Sequence, residues 1–221
     1  MQSVKVAALW IARIEMLGAF VGFVFEHGSR LLPFTRRAET PEVLCFDHPV
    51  PMAPLHLLIV PKKRIRSLEA AVADARFQTL REILCCAEIV AARYAGSFRL
   101  EVNNGTRQEV KQLHFHLLRN LEATSLTESE ERSAGTLTIG ALQGTVFKSK
   151  TEGHRIRVDP SDGIKTLTME STRDWLIDSL GKIMKAQREL QLTNRGFTVS
   201  LALRVGATIE WRREILLSAD A

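Results

Sequence analysis

Apolar residues recur along the first half of the chain with two periods, one typical of strands and one typical of helices. Short apolar runs at residues 43–46 and 55–60 predict two strands. Residues 67–94 keep an apolar position every three to four residues, which predicts one long helix. Residues 98–102 and 110–118 return to the strand period. The first half is therefore predicted to contain two strands, a long helix and two further strands.

The second half of the chain repeats this order of elements. Its predicted elements are strands near residues 145–148, 155–158 and 164–169, a helix from Thr172 to before Gly196, and strands at residues 197–203 and 209–217. A shift of 99 residues aligns the apolar positions of the two halves and places Leu117 on Leu216. This agreement predicts an internal repeat, and the alternative is two separate segments that follow the same packing rules.

The N-terminus carries a different pattern. Residues 4–24 are largely apolar, but the longest uncharged run, residues 16–25, has ten residues, whereas a membrane-spanning helix needs roughly 20. Apolar side chains recur here at helical spacing, namely Trp10, Ile14, Leu17, Val21 and Val24. They predict an amphipathic helix that packs on the domain or on a partner, with membrane association through residues 4–25 as the alternative. A basic, proline-bounded linker at residues 30–41 follows.

Composition narrows the class of protein. With 221 residues, 45% of them hydrophobic, the chain can bury a core, which argues against global disorder. The net charge of +5 falls on the first half, where the basic residues 62–66 indicate a phosphate-bearing partner or a solvated loop. The absence of aromatic–basic interleaving argues against nucleic acid as a partner. Three cysteines without disulfide or metal-ligand spacing favour a reducing, cytoplasmic compartment.

The candidate chemistry lies in residues 108–118. In a strand, Gln112, His114 and His116 share one face, because side chains alternate and neighbours on a face lie about 7 Å apart. Neutral imidazole is nucleophilic near pH 7, and a second imidazole can donate a hydrogen bond to developing phosphate charge. The pattern favours phosphate chemistry, and the alternative is a solvent-facing strand that carries two histidines.

Three motifs in a fixed order resemble those of the histidine-triad (HIT-like) superfamily. Residues 45–63, CFDHPVPMAPLHLLIVPKK, are similar to the family segment built around P-x-A-P-x-H. Residues 98–105 resemble its strand ending in Asn-x-Gly, and residues 108–118 resemble the triad after a Gln-x-Val-x lead that begins at Gln108. The resemblance covers residues 42–118. It implies a HIT-like α+β fold with a mainly antiparallel sheet packed by long helices.

The resemblance also implies roles for single residues. His114 would attack the α-phosphate of a nucleotide and form a nucleotidyl-histidine, while His116 would contact phosphate oxygens. Gln112 fills the first triad position, where its backbone carbonyl can orient the His114 ring. The phosphate-contacting asparagine of the family maps to Asn103, and the histidine beside the triad maps to His56.

Other positions depart from the family pattern. The ribose-binding aspartate maps to His48, with Asp47 one residue away, and such an offset turns a strand side chain to the opposite face. Glu109 replaces the usual Ser or Thr of the lead, and its charge would repel a phosphate if it faced inward. Lys62 and Lys63 follow the strand that carries the upstream histidine, so we expect some of this basic run near the phosphate.

The histidines leave two alternatives. In a second register the triad is His114, His116 and Leu118, with His116 as nucleophile, and the lead then resembles that of CDP-diacylglycerol pyrophosphatases, which carry an N-terminal membrane anchor. A metal site would combine His114 and His116 with His56 or His48. No carboxylate or cysteine ligand lies clearly close by in the sequence, so we expect neither a metal nor a cofactor.

The repeat extends the resemblance to the second half. Its triad positions would be Trp211, Arg213 and Ile215, so this half is degenerate, and the chain looks like galactose-1-phosphate uridylyltransferases, in which two such halves sit together. The predicted domains are an N-terminal helix and linker (1–40), a HIT-like domain (41–120), a connector (121–140) and a degenerate half that completes a pseudo-dimer within one chain (141–221).

The predicted function is a nucleotide hydrolase or nucleotidyltransferase that acts through His114. The alternative is a catalytically impaired nucleotide-binding or assembly subunit, anchored by its N-terminal helix.

Overall fold

The computed structural model describes residues 35–73, 76–120, 132–139, 142–149, 153–159, 168–186 and 196–219. Within these residues, strands form one ten-stranded sheet, and helices pack on one of its faces. The strands are β1 (Arg36–Glu39), β2 (Val43–Asp47), β3 (His56–Pro61), β4 (Gly96–Asn104), β5 (Phe115–Asn120), β6 (Arg132–Ile139), β7 (Leu142–Ser149), β8 (Gly153–Asp159), β9 (Phe197–Val205) and β10 (Ile209–Ala219). The helices are α1 (Leu68–Ala73), α2 (Phe77–Ala91) and α3 (Met169–Ala186).

The sheet consists of two halves with the same strand order. The first half runs β1-β2-β3-β5-β4 and the second runs β6-β7-β8-β10-β9, so β4 and β9 meet in the middle. All neighbouring strands pair antiparallel. The predicted α+β fold with a mainly antiparallel sheet is confirmed.

The two halves of the sheet meet where β4 pairs with β9, and we call this pairing the seam. Its register shows how the two halves are related by symmetry. Glu101 pairs with Ser200, and the two residues are 99 positions apart in the sequence. If each residue of the first half corresponds to the residue 99 positions later, Glu101 pairs with its own equivalent. A pseudo-two-fold axis between the halves must pass through such a pair.

The core lies between the helices and one face of the sheet. On β4 the alternate residues Phe98, Leu100 and Val102 are buried, and they belong to one apolar cluster with residues of α2 and α3. The residues between them, including Glu101 and Asn103, point to the side away from the helices, because side chains alternate along a strand. We call this side the open face.

The strands next to the seam, β5 and β10, depart from the 99-residue shift. Leu117 pairs with Leu100, and the equivalent pairing in the second half joins Leu217 to Val199. Leu117 therefore corresponds to Leu217, and the predicted match with Leu216 is wrong by one residue. The register of β10 shifts between Trp211 and Ile215, where β10 advances by four residues while β9 advances by two.

The triad positions predicted for the second half also differ from the observed pairing. By the pairing of β10 with β9, Ile215 corresponds to Phe115 rather than to His116. Both Ile215 and Trp211 are buried in the core on the helix side. The side chain of Arg213 lies outside the described residues.

Several element boundaries differ from the prediction. The single helix expected at residues 67–94 is two helices, α1 and α2, and the strand expected at residues 110–118 begins only at Phe115. β6 lies within the predicted connector 121–140, and β1 lies within the predicted linker 30–41. Each of these strands pairs antiparallel with the strand that follows it in the chain, and this pairing overrides the polar composition of the two segments.

The predicted N-terminal helix, residues 4–25, lies outside the described residues. Among the helices of the described part, none combines the length and apolar character needed to cross a membrane.

We predict that Gly196 is required for the fit between the halves. A Cβ at this position would meet Arg107 Cγ at 2.5 Å, Thr106 Oγ1 at 2.6 Å and the Arg107 backbone nitrogen at 2.7 Å. Gly196→Ala should lower the free energy of unfolding by about 1–3 kcal/mol, the usual cost of overpacking, as measured by urea denaturation. Gly206→Ala is the matched control, because a Cβ there meets no atom within 4 Å. Equal stability of the two variants would contradict the prediction.

Candidate active site

His114 precedes β5 in an irregular segment that is anchored at both ends. The Leu113 backbone N–H donates to the Ile65 carbonyl at 2.6 Å, and Leu113 is buried. The Nδ1–H of His114 donates to the Gln112 backbone carbonyl at 2.7 Å. Since a carbonyl can only accept, this bond places the proton on Nδ1 and leaves a lone pair on Nε2. His114 is thereby fixed in the tautomer that a nucleophile needs.

Gln112 supports this arrangement from the rear. Its side chain is buried, and its Nε2 donates to the carbonyls of Pro61 at 3.1 Å and of Lys63 at 3.0 Å. The side chain therefore ties the His114 segment to the end of β3. The backbone carbonyl of Gln112 accepts from His114, as the resemblance implied, while its side chain bonds within the protein. A catalytic role for Gln112 stays a prediction.

Gln108 has a similar supporting role. Its Nε2 donates to the carbonyls of Arg66 at 2.5 Å and of Val110 at 2.8 Å, which closes the loop between the lead and the segment after β3. The side-chain nitrogen predicted to bind substrate is therefore used within the protein.

A chain of hydrogen bonds determines the proton positions on the other histidines. The Met52 backbone N–H donates to His56 Nδ1 at 3.1 Å, so neutral His56 carries its proton on Nε2. That proton is donated to His116 Nδ1 at 2.9 Å. His116 therefore carries its own proton on Nε2, a buried atom that has no partner among the described residues. His116 is fixed as a hydrogen-bond donor beside His114, whose ring centroid is 5.1 Å away.

His48 and Asp47 lie on opposite faces of the sheet edge. His48 stacks on His56 with ring centroids 4.0 Å apart and an interplanar angle of 8°. The carboxylate of Asp47 accepts two hydrogen bonds from Arg37, at 2.6 and 3.0 Å. The one-residue offset thus places His48 in the site, whereas the carboxylate of Asp47 is paired with Arg37. A substrate-binding role for Asp47 stays a prediction.

All four histidines are held neutral by burial. Desolvation lowers the pKa of His56 to about 4, and it lowers the pKa of His116 to about 2 with help from the neighbouring imidazoles. It also lowers the pKa of His48 and of His114, although the bond from His114 to the Gln112 carbonyl and the charge of Glu109 oppose this at His114. Neutral imidazole is the form in which one ring nitrogen can attack and another can donate.

Three of these rings could be considered as metal ligands. His48, His56 and His116 each offer a ring nitrogen, and these atoms lie within 4.8 Å of one another. However, Nδ1 of His48 accepts from the Val50 backbone N–H, as Nδ1 of His56 does from Met52. A ring bound to a metal through Nε2 carries its proton on Nδ1, which would then face these N–H groups. The backbone N–H groups of Val50 and Met52 therefore disfavour a metal at this cluster.

The basic run after β3 is engaged in ion pairs. Lys62 Nζ lies 2.7 Å from Glu39 Oε1, and Lys63 Nζ lies 3.1 Å from Glu42 Oε1. Both acids belong to the β1–β2 hairpin region. A phosphate-binding role for the two lysines stays a prediction, and any phosphate would compete with these acids.

Asn103 lies on the open face at the seam. Its Oδ1 accepts from Thr198 Oγ1 of the second half at 2.8 Å, and Thr198 in turn accepts from Arg107 at 3.0 Å. No motif in the sequence singled out Thr198 or Arg107. They are 91 positions apart, so no local pattern could have brought them together.

Comparisons with known proteins identify the family of this chain. A family model described as HIT domain matches residues 33–122. An uncharacterised HIT-like protein of Synechocystis is 37% identical over 34% of this chain and 68% of its own length. The adenylylsulfatase HINT1 of Arabidopsis thaliana is 33% identical over 41% of this chain and 65% of its own length. The match thus spans about two thirds of each of these two relatives.

A crystal structure of a HIT family hydrolase from Legionella pneumophila covers 46% of this chain and 94% of its own, at 33% identity and a TM-score of 0.41. The sequence matches and the triad segment fall on the same part of the chain. The chain belongs to the HIT family.

Proposed function

We propose that this protein is a nucleotide hydrolase or nucleotidyltransferase in which His114 forms a nucleotidyl-histidine intermediate. The observation that carries the proposal is the bond from His114 Nδ1–H to the Gln112 carbonyl, which directs the lone pair of Nε2 away from its own backbone. A lowered pKa keeps this nitrogen unprotonated at neutral pH. Both conditions are needed for attack on phosphorus.

The reaction has two balanced steps. In the first, His114 Nε2 donates its electron pair to the α-phosphorus, a P–N bond forms, and the bond to the leaving group breaks with its electron pair on that group. In the second, the oxygen of water attacks the phosphorus and forms a P–O bond, the P–N bond breaks with its electron pair on Nε2, and the water releases one proton to solvent. Another acceptor in place of water makes the protein a transferase.

His116 supports both steps as a donor. Its Nε2–H is directed by the relay from Met52 through His56, and it can bond to an oxygen of the phosphoryl group as charge develops there. Such a preorganised donor is worth about 10²–10³ in rate in comparable sites. The low pKa of His116 makes it a neutral donor rather than a cation.

The nucleotide class of the substrate is inferred from the family. The Arabidopsis relative is named an adenylylsulfatase, which describes hydrolysis of a nucleotidyl compound. We infer a nucleotidyl substrate here as well, without naming its base or leaving group.

We further propose that residues 141–221 take the place of the second subunit of a dimer. The equal strand order of the two halves and the seam between them support this proposal. A duplication in which the second half lost the histidines of the site would produce this chain. The free thiols Cys45, Cys85 and Cys86 favour a reducing, cytoplasmic compartment.

We predict that His114→Ala abolishes covalent labelling, because it removes the attacking nitrogen. The measurement is acid-labile incorporation of radiophosphorus from α-labelled ATP and from labelled adenylyl sulfate. His116→Ala should retain weak labelling, and His154→Ala on β8 is the matched control, four strands away from β5 in the sheet. Labelling lost only with His116→Ala would instead support the second register.

The same assay separates the enzyme from an impaired binding subunit. If the wild-type chain binds nucleotide in calorimetry but forms no labelled histidine with either compound, the catalytic proposal is overturned and the binding-subunit alternative stands.

We predict that labelling is nearly constant between pH 7.5 and pH 6. An imidazole with a pKa of 6.5 would be only about a quarter neutral at pH 6. Because the pKa of His114 is lowered, its neutral form persists as the pH falls, and the nucleophile is retained. Initial rates of labelling across this range provide the measurement. A fourfold fall in the rate of intermediate formation at pH 6 would contradict the assignment.

A further inference from the structure

Asn103 lies on the strand next to the candidate site but is held by the other half of the chain. The pairing of β4 with β5 ends at Glu101 with His116, and Asn103 and His114 each lie two residues beyond that last pair in the sequence. On the other side, β4 pairs Asn103 with Thr198 of β9. The Asn103 side chain therefore lies between the candidate site and the second half.

The polarity of the bonds at this point is fixed by chemistry. Arg107 Nη1 donates to Thr198 Oγ1 at 3.0 Å, and a guanidinium group can only donate. Thr198 must therefore direct its own hydroxyl proton elsewhere, and its other partner is Asn103 Oδ1 at 2.8 Å. The oxygen of the Asn103 amide is thus committed to Thr198, and the Nδ2 end is turned away from it.

Arg107 is itself held by the second half. Its Nη1 also donates to the Ser218 carbonyl of β10 at 3.2 Å. The loop that carries it lies so close to Gly196 that a Cβ there would meet the Arg107 backbone nitrogen at 2.7 Å. The position of Arg107, the first donor in the bonds from Arg107 through Thr198 to Asn103, therefore depends on residues of the second half.

We propose that Thr198 is a positioning residue that orients the Asn103 amide, so that its Nδ2–H₂ donates to the phosphoryl group beside His114. The second half thus contributes to the site without contributing a histidine. The inference rests on the proposed function, because it needs a phosphoryl group at His114.

The expected effect of a Thr198 variant on the rate depends on how the Asn103 amide behaves without the Thr198 hydrogen bond. With Thr198 changed to a residue without a hydroxyl group, Oδ1 and Nδ2 can exchange places, and Oδ1 would face an anionic oxygen. Loss of one such donor costs about 10²–10³ in rate, and a flipping amide loses only part of that. We expect Thr198→Val to lower kcat about tenfold with KM changed less than about twofold, since the bond strengthens as charge develops.

Steady-state rates with adenylyl sulfate or a nucleoside phosphoramidate test this, using three variants. Thr198→Ser keeps the hydroxyl group and should retain the wild-type kcat. Thr208→Val is the matched control: it removes a hydroxyl that bonds to Glu210 in the β9–β10 turn, at the other end of the seam from Asn103. If Thr198→Ser loses as much as Thr198→Val, or Thr208→Val loses as much as either, the role is merely structural and the inference is wrong.

A double-mutant cycle with Asn103→Ala tests whether Thr198 acts through Asn103. If it does, Thr198→Val should change kcat by less than about twofold in the Asn103→Ala background. An unchanged tenfold effect in that background would overturn the proposal.

A second measurement separates this inference from the proposed function. The side-chain amide resonances of Asn103, identified by their loss in Asn103→Ala, should shift on addition of AMP in the wild-type chain and in Thr198→Ser, but much less in Thr198→Val. Shifts without any turnover by the wild-type chain would leave the inference standing and sink the catalytic proposal. Equal shifts in all three, or none in the wild-type chain, would overturn the inference itself.

Discussion

The antiparallel pairing of β4 with β9 is the interaction on which the rest of the molecule depends. It joins nine consecutive residue pairs, from Gly96 with Val205 to Asn104 with Phe197, and so converts two five-stranded halves into one sheet. Without it, each half would expose an unpaired central strand, with backbone groups that need partners. The pairing also decides which side chains of the second half stand beside the candidate site.

Side chains of the second half bond across the seam to the strand beside the candidate site. Thr198 and Ser200 on β9 bond across it to Asn103 and Glu101 on β4. The loop that leads to His114 lies against Gly196, so its position depends on a residue 82 positions later. The second half therefore helps to set the geometry beside the candidate site.

Within the site, the ring orientations and proton positions of the histidines are set by hydrogen bonds whose donor and acceptor cannot exchange roles, and not by charged partners. Backbone N–H groups donate to His48 and His56, and a backbone carbonyl accepts from His114. These bonds fix every proton, while burial lowers the pKa of each ring and keeps it neutral. The substitution of glutamine for histidine at position 112 is compatible with this scheme, because an amide nitrogen supplies the two N–H donors that the Pro61 and Lys63 carbonyls require.

The sequence by itself determined the features that depend on local periodicity and on short motifs. It predicted the α+β class, the strands at residues 55–60 and 98–102, the 99-residue spacing seen at the seam, and the position of His56 beside the triad histidines. Alternation along a strand also implied that His48 and Asp47 would face apart. The tertiary structure alone decided the bulge in β10, the division of the long helix, the strand β6, and the bonds from Arg107 through Thr198 to Asn103. Backbone geometry sets a residue's period within its own segment, whereas bulges, helix breaks and cross-strand contacts depend on how the segments pack together, which no local pattern records.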